Sequence, residues 1–186
     1  TNIISNLSII DSDIDQVMDG WKLKRLPRID RDILRLAYVD IKFLDTPVAV
    51  ACDEAVNLAN KYIFDYQHKH TEAMGMGTTM TIVEIDKEKV LHLAHVGDSR
   101  CYVLNNRNLM QLTKDENVPG YQNVLTQALG SKEKLKIQTK DFQLTSGDVV
   151  FLCSDGVYNE IGDEYLKNKL MDGVTAESLI SEVLLQ

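Results

Sequence analysis

The stretch 147–161, GDVVFLCSDGVYNEI, decides how the chain is read. Its apolar run from Val149 to Cys153 stops at Ser154-Asp155-Gly156. Short apolar runs closed by turn residues are how buried strands end, so Asp155 is expected at the rim of a sheet. Asp98 stands in the same position after LHLAHVG (91–97). Gly97 and Gly156 would let the backbone turn sharply while each carboxylate points off the sheet edge. Two such acids on adjacent strands could hold a hard divalent cation through oxygen. Gly, Asp and Ser are also what any turn uses, so the spacing alone leaves both roles open.

Around this stretch the chain keeps a period of two from Gly75 onward. TTMTIVEI (78–85) and VLHLAHV (90–96) flank Asp86-Lys87-Glu88, and CYVL (101–104) and LMQL (109–112) flank Asn105–Asn108. LKIQTKDFQL (135–144) and DVVFLC (148–153) are joined by Thr145-Ser146-Gly147. These are hairpin signals, and five or six antiparallel strands imply a sheet sandwich. Two amphipathic helices follow, DEYLKNKLMD (163–172) and TAESLISEVLLQ (175–186), the second capped by Thr175.

Residues 1–70 read as helix instead. IDSDIDQVMDGW (10–21) places Ile10, Ile14, Val17 and Trp21 at helical spacing. Pro27 breaks the chain, and Asp30 can cap RDILRLAYVDIKFL (31–44), whose Ile33, Leu34, Ala37, Ile41 and Leu44 form one stripe. Thr46-Pro47 opens a third helix, which is expected to run to about His70.

A net charge of −8 argues against the whole surface binding nucleic acid. The exception is local: residues 22–35 hold six basic and two acidic side chains. Arg25, Arg28 and Arg31 there are the candidates for RNA phosphates. Arg31 and Arg35 are read more simply as helix-surface residues paired with Asp30, Asp32 or Asp40. The three cysteines, Cys52, Cys101 and Cys153, lie in apolar stretches without CxxC spacing, which reads as buried free thiols in a reducing compartment. With no signal peptide and no apolar run of about 18 residues, no membrane contact and a cytoplasmic location are expected. His92 and His95 fall on opposite strand faces with one of them buried, His68 and His70 are solvated, Asp148 is a turn residue, and Asp115 and Glu116 are solvated loop acids. Ser99 and Ser154 lack the partners of a nucleophilic triad.

GMGTT (75–79), AHVGDSR (94–100), QLTKDE (111–116), LTQALG (125–130) and GDVVFLCSDGVYNEI together resemble the PPM family of metal-dependent serine/threonine protein phosphatases over about residues 62–186. That resemblance implies two antiparallel sheets between helices, and hydrolysis of phosphoserine and phosphothreonine by water held between two manganese or magnesium ions. It makes Asp155 a ligand of the catalytic pair, and Asp98 the acid that shares a third, weaker metal with it. The family's earlier DGMGG motif and phosphate-gripping arginine have no counterpart, and no DN motif appears before Gln186. The expectation is therefore a remnant site at Asp155 and Asp98 with weakly bound Mn or Mg, no metal required for folding, and little or no phosphatase activity. Two alternatives stand beside it: an active phosphatase with replacement ligands from Asp11, Asp13 or Asp15, and an RNA- or protein-binding module.

WKLKRLPRIDRDILRLAYVDIKFLDTPVAVACDEAVNLANKY (21–62) resembles the transcription antitermination factor NusB. That family is all-helical and binds a ribosomal-protein partner and a short RNA. Its basic N-terminal arm is missing, so binding of RNA or a ribosomal protein is not expected here. The combined expectation is a chimera of α+β class, with N-terminal helices packed on a partial antiparallel β-sandwich of PPM-phosphatase type with C-terminal helices. Residues 1–70 form the NusB-like part ending in a long junction helix, residues 71–186 the partial sandwich, and the two share one core. Sheet edges left uncovered would pair with a second copy as a homodimer.

Overall fold

Alternation along two strands builds the layers. In β2 (Val90–Val96), Leu91 and Leu93 face one way and Ala94 and Val96 the other; in β3 (Arg100–Asn105), Cys101 and Val103 oppose Tyr102 and Leu104. Leu91, Leu93, Cys101 and Val103 meet in one buried cluster with Leu112 and Leu144, which is the space between two sheets. The computed structural model describes residues 3–17, 22–25, 31, 32, 35, 36, 38, 39, 42 and 46–184.

Each of these two strands is the centre of a three-stranded antiparallel sheet. β2 pairs with β1 (Met80–Ile85) and β7 (Gln138–Gln143), and β3 pairs with β4 (Asn108–Gln111) and β8 (Val149–Cys153). Asn106 and Arg107 both take left-handed φ values of 47° and 63°, which closes the β3–β4 hairpin in two residues. A small third hairpin joins β5 (Asn117–Val118) to β6 (Tyr121–Leu125).

The segment Thr145-Ser146-Gly147 does not close a hairpin. β7 and β8 belong to different sheets, so this turn carries the chain from one layer to the other. Turn residues bend the chain in either case; the partner strand, which lies elsewhere in the sequence, settles which strands pair.

The outer faces are covered by helices. α1 (Ile3–Val17) precedes a short 3-10 turn at Leu23–Arg25, and residues 31, 32, 35, 36, 38, 39 and 42 are helical. α2 (Val48–Lys69) sets the small residues Cys52, Ala55, Val56 and Ala59 on Ala94, Val96 and Leu129. Small side chains let the helix axis approach the sheet closely. Pro47 occupies the cap position, one residue later than the sequence implied, and its carbonyl accepts from the amides of Val50 and Ala51. The helix ends as expected, where His70 turns extended.

On the opposite side, α4 (Asp163–Met171) and α5 (Ala176–Val183) bury Leu166, Leu170 and Leu179 against Tyr102 and Leu104. Each such fully buried leucine is worth about 1.5–3 kcal/mol. Thr175 caps α5, its Oγ1 accepting from the Ser178 amide at 3.3 Å. The order is helix, sheet, sheet, helix, the α+β layering expected.

Among the described residues of the N-terminal helices, those of α2 pack on the β1–β2–β7 sheet, and Ile10 and Ile14 of α1 form a separate cluster with Leu23 and Val39. Trp21, Pro27, Arg28, Asp30, Asp40 and the stripe Ile33, Leu34, Ala37, Ile41 and Leu44 lie outside the described residues. Among the described residues no helix is long and apolar enough to cross a membrane.

Candidate metal-site cleft

Leaving β2, the chain crosses from the first sheet to the second through Gly97, Asp98 and Ser99. Gly97 has φ +107°, and a Cβ there would stand 2.5 Å from Thr79 Cγ2. Only glycine fits this crossing. Asp98 is thereby turned out at the sheet end, where its Oδ2 accepts from Asn117 Nδ2 at 3.2 Å. After β8, Ser154 leads into α3 (Asp155–Tyr158), a single helical turn that begins with Asp155. Gly156 lies inside that turn without a left-handed φ, so the sharp bend expected of it is absent: helix, not glycine, redirects the chain.

Asp98 and Asp155 line one cleft of about 450 Å³. Its other wall comes from the GMGTT and LTQALG segments, bridged by Thr78 and Leu129, whose amides and carbonyls pair at 2.8 and 3.4 Å. Thr79 and Ser99 also line it, their hydroxyls 2.8 Å apart. Four of the five motifs picked out in the sequence thus line one cleft.

α3 is latched to Asp98. Tyr158 donates its hydroxyl to the Asp98 carbonyl at 3.0 Å, and the Arg100 guanidinium lies 3.6 Å from the centre of the Tyr158 ring. Burial first, and then the charges of Asp98 and Asp115, push the Tyr158 hydroxyl up to about 12, so it stays a donor. Arg100 is held by Asp115 through Nε at 3.1 Å and Nη2 at 2.6 Å, and by the Tyr102 hydroxyl at 2.9 Å. Burial works against its cation, but these hydrogen bonds outweigh it and leave the pKa raised.

Asp115 and Glu116 are therefore not solvated loop acids. Glu116 accepts from the Gly97 amide at 2.9 Å and from Gln127 at 2.8 Å, which ties the crossing to the loop beneath it. Asp115 also accepts from Gln111 Nε2 at 2.8 Å, four residues away, but Arg100, Gly97 and Gln127 lie more than ten residues from their acids, beyond what local pattern shows.

Among the described residues no nucleophile–base pair is built here. His95 is fully buried, with Nδ1 on Thr81 Oγ1 at 2.8 Å and Nε2 on the Gly97 carbonyl at 3.1 Å, so both ring nitrogens are used. Burial pushes the thiols of Cys52, Cys101 and Cys153 up to about 11, which makes them inert at neutral pH. Cys153, expected to be buried, is only partly covered.

Residues 45–184 match the model of the Stage II sporulation protein E (SpoIIE) family. The chain belongs to that family. Residues 1–70 match the NusB family model, so the two matches overlap over 45–70, which contains all of α2. A transcription antitermination protein NusB of Synechococcus elongatus is 52% identical over 60 residues, covering 32% of this chain and 28% of that protein. The serine/threonine phosphatase stp of Listeria welshimeri is 31% identical over 128 residues, covering 60% of this chain and 50% of that one. This SpoIIE-family chain thus spans half or less of the length of these relatives. Among solved structures, the Mycobacterium tuberculosis serine/threonine phosphatase PstP/Ppp superposes with TM-score 0.67 at 25% identity, over 84% of this chain and 76% of that one. The catalytic domain of PstP in complex with two manganese ions gives TM-score 0.67 at 27% identity, over 82% and 74%. The domain is of PPM-type Ser/Thr phosphatase kind.

The described residues do not fit a two-ion centre. Asp155 is exposed and Asp98 is shared with Asn117; among the described residues no three His, Cys, Asp or Glu side chains are grouped to hold an ion. Asp11, Asp13 and Asp15 are committed elsewhere. Asp11 binds Arg35 at 2.6 and 2.7 Å, Asp13 accepts from Tyr38 at 2.5 Å, and Asp15 accepts from the Leu23 amide at 2.6 Å. Arg35 also pairs with Asp32, as the sequence suggested, while its partner Asp11 was missed. Of the candidate RNA contacts, Arg25 is exposed at the end of the 3-10 turn and Arg31 is half-buried, its charge directed in part at Asp11. Arg28 lies outside the described residues.

Proposed function

We propose that this chain is a chimera of a NusB-like helical segment and a partial PPM-type phosphatase domain with little or no phosphatase activity, its cleft reduced to the weak cation pair Asp98 and Asp155. The observation that carries this is the donor set: two carboxylates on the cleft, with the N-terminal acids held by Arg35, Tyr38 and Leu23. Water becomes a hydroxide nucleophile at neutral pH only when closely held metal charge lowers its pKa. Two carboxylates alone hold one Mn or Mg ion only weakly, because such an ion keeps most of its waters unless further oxygen ligands replace them. The shared span of the two family matches along α2 supports the chimera, and free thiols in both parts support a cytoplasmic setting.

The test is manganese-dependent phosphate release from a phosphothreonine peptide by the purified chain. The expected result is a rate at the protein-free blank, unchanged by Asp155→Asn. Steady turnover that Asp155→Asn abolishes would overturn the proposal in favour of an active enzyme.

A further inference from the structure

The outer side of α2 carries a ridge at i, i+4 spacing, Glu54, Leu58, Tyr62 and Tyr66, which His70 continues just past the helix end. Leu58, Tyr62 and Tyr66 are 41%, 47% and 36% exposed, although the inner side of the same helix is packed on the sheet. The Tyr62 and Tyr66 rings stack with centroids 6.2 Å apart, and Tyr66 stacks on His70 at 4.2 Å. Three rings that brace one another lose little side-chain freedom when a partner covers them.

The ridge is complementary to itself. A two-fold axis at Tyr62 sets Leu58 beside Tyr66 of a second copy and Tyr62 beside its own counterpart. Ridges of i±4 residues interdigitate when two helices cross at about 50°. Charge selects the antiparallel sense. Asp53 and Glu54 mark the N-terminal half of the helix and His68 and Lys69 its last turn, so antiparallel copies oppose unlike ends and parallel copies like ones. We propose that the partner of this face is a second copy of the chain, joined through the α2 ridges in an isologous antiparallel pair. The surface differs from the sheet edges expected from the sequence, and it does not depend on the state of the cleft.

Sedimentation velocity over a concentration series tests this, with a circular-dichroism melt confirming that each variant folds. The wild-type chain is expected to pass from monomer to dimer, Tyr62→Asp to stay monomeric, and Met74→Asp, exposed off the ridge, to dimerise as wild type. Glu54→Lys should weaken the dimer several-fold, and combining it with Lys69→Glu should restore it. A monomer at every concentration, a dimer indifferent to Tyr62→Asp, or a charge swap without rescue overturns the proposal.

Discussion

Asn60 Oδ1 accepts from the Gly130 amide at 2.8 Å, joining α2 to the loop that walls the cleft. Its Nδ2 donates to the carbonyls of Lys132 and Glu133 at 3.0 and 3.1 Å, and the side chain is 2% exposed. Gln67, two turns on, donates to the Gly130 carbonyl. The helix matched by both families is thus keyed to the phosphatase part by side-chain hydrogen bonds as well as by apolar contact. Asn60→Leu keeps the number of side-chain heavy atoms but strands a buried amide and two carbonyls. The expected loss is about 2–3 kcal/mol, read from urea unfolding. A loss below about 0.5 kcal/mol would mean that water replaces these bonds and that the key is not structural.

The two glycines beside the cleft acids should behave oppositely. Gly97→Ala forces an L-residue into φ +107° and drives its Cβ into Thr79, so a loss of at least about 2 kcal/mol is expected. Gly156→Ala meets nothing closer than Ser154 Oγ at 3.7 Å and sits in a helical turn. It should be neutral or stabilising by up to about 1 kcal/mol. Thermal melts of the pair decide; equal losses would mean that α3 does not form.

That contrast marks where the sequence stops being legible. Period-two alternation marked VLHLAHV (90–96) and CYVL (101–104) as strands, and motif order brought Asp98 and Asp155 together, because both signals are local or inherited. Gly97 and Gly156 look alike in sequence, yet only one has a second segment, at Thr79, pressed against it. The layer crossing at Thr145–Gly147, the Asp115–Arg100 pair and the Asn60 key share that property. Each depends on which distant segment arrives opposite, and no window of adjacent residues carries it.

The two strand histidines should tilt stability with pH in opposite windows. For His95, burial favours the neutral ring and lowers the pKa below its ordinary 6.5. Its contribution is present above that value and lost as pH falls through the lowered folded pKa. For His92, burial opposes the imidazolium, but hydrogen bonds to Asp141 at 2.8 Å and Asp86 at 3.4 Å outweigh it and the pKa is raised. Its contribution is full below 6.5 and lost as pH rises through the raised value. Urea midpoints taken between about pH 5 and 8 should therefore flatten below the histidine range in His95→Gln and above it in His92→Gln. The reverse assignment would show that the burial of the two rings has been exchanged.

Asp115 holds Arg100 in a two-toothed grip, and both side chains are less than a quarter exposed, at 24% and 20%. Arg100 in turn packs on Tyr158, which hangs from the Asp98 carbonyl, so one ion pair positions the turn that carries Asp155. Removing either partner leaves the other partly buried without its charge complement. Arg100→Ala and Asp115→Ala are each expected to cost about 2 kcal/mol, and the double variant little more than one of them. Arg100→Lys should recover only part of the loss, since an ammonium cannot span both carboxylate oxygens while lying over a ring. A double-mutant cycle in urea should give a coupling of at least about 1 kcal/mol. Additive losses of a few tenths each would return Asp115 to the role of a solvated loop acid and leave the position of Asp155 to the backbone of β8 alone.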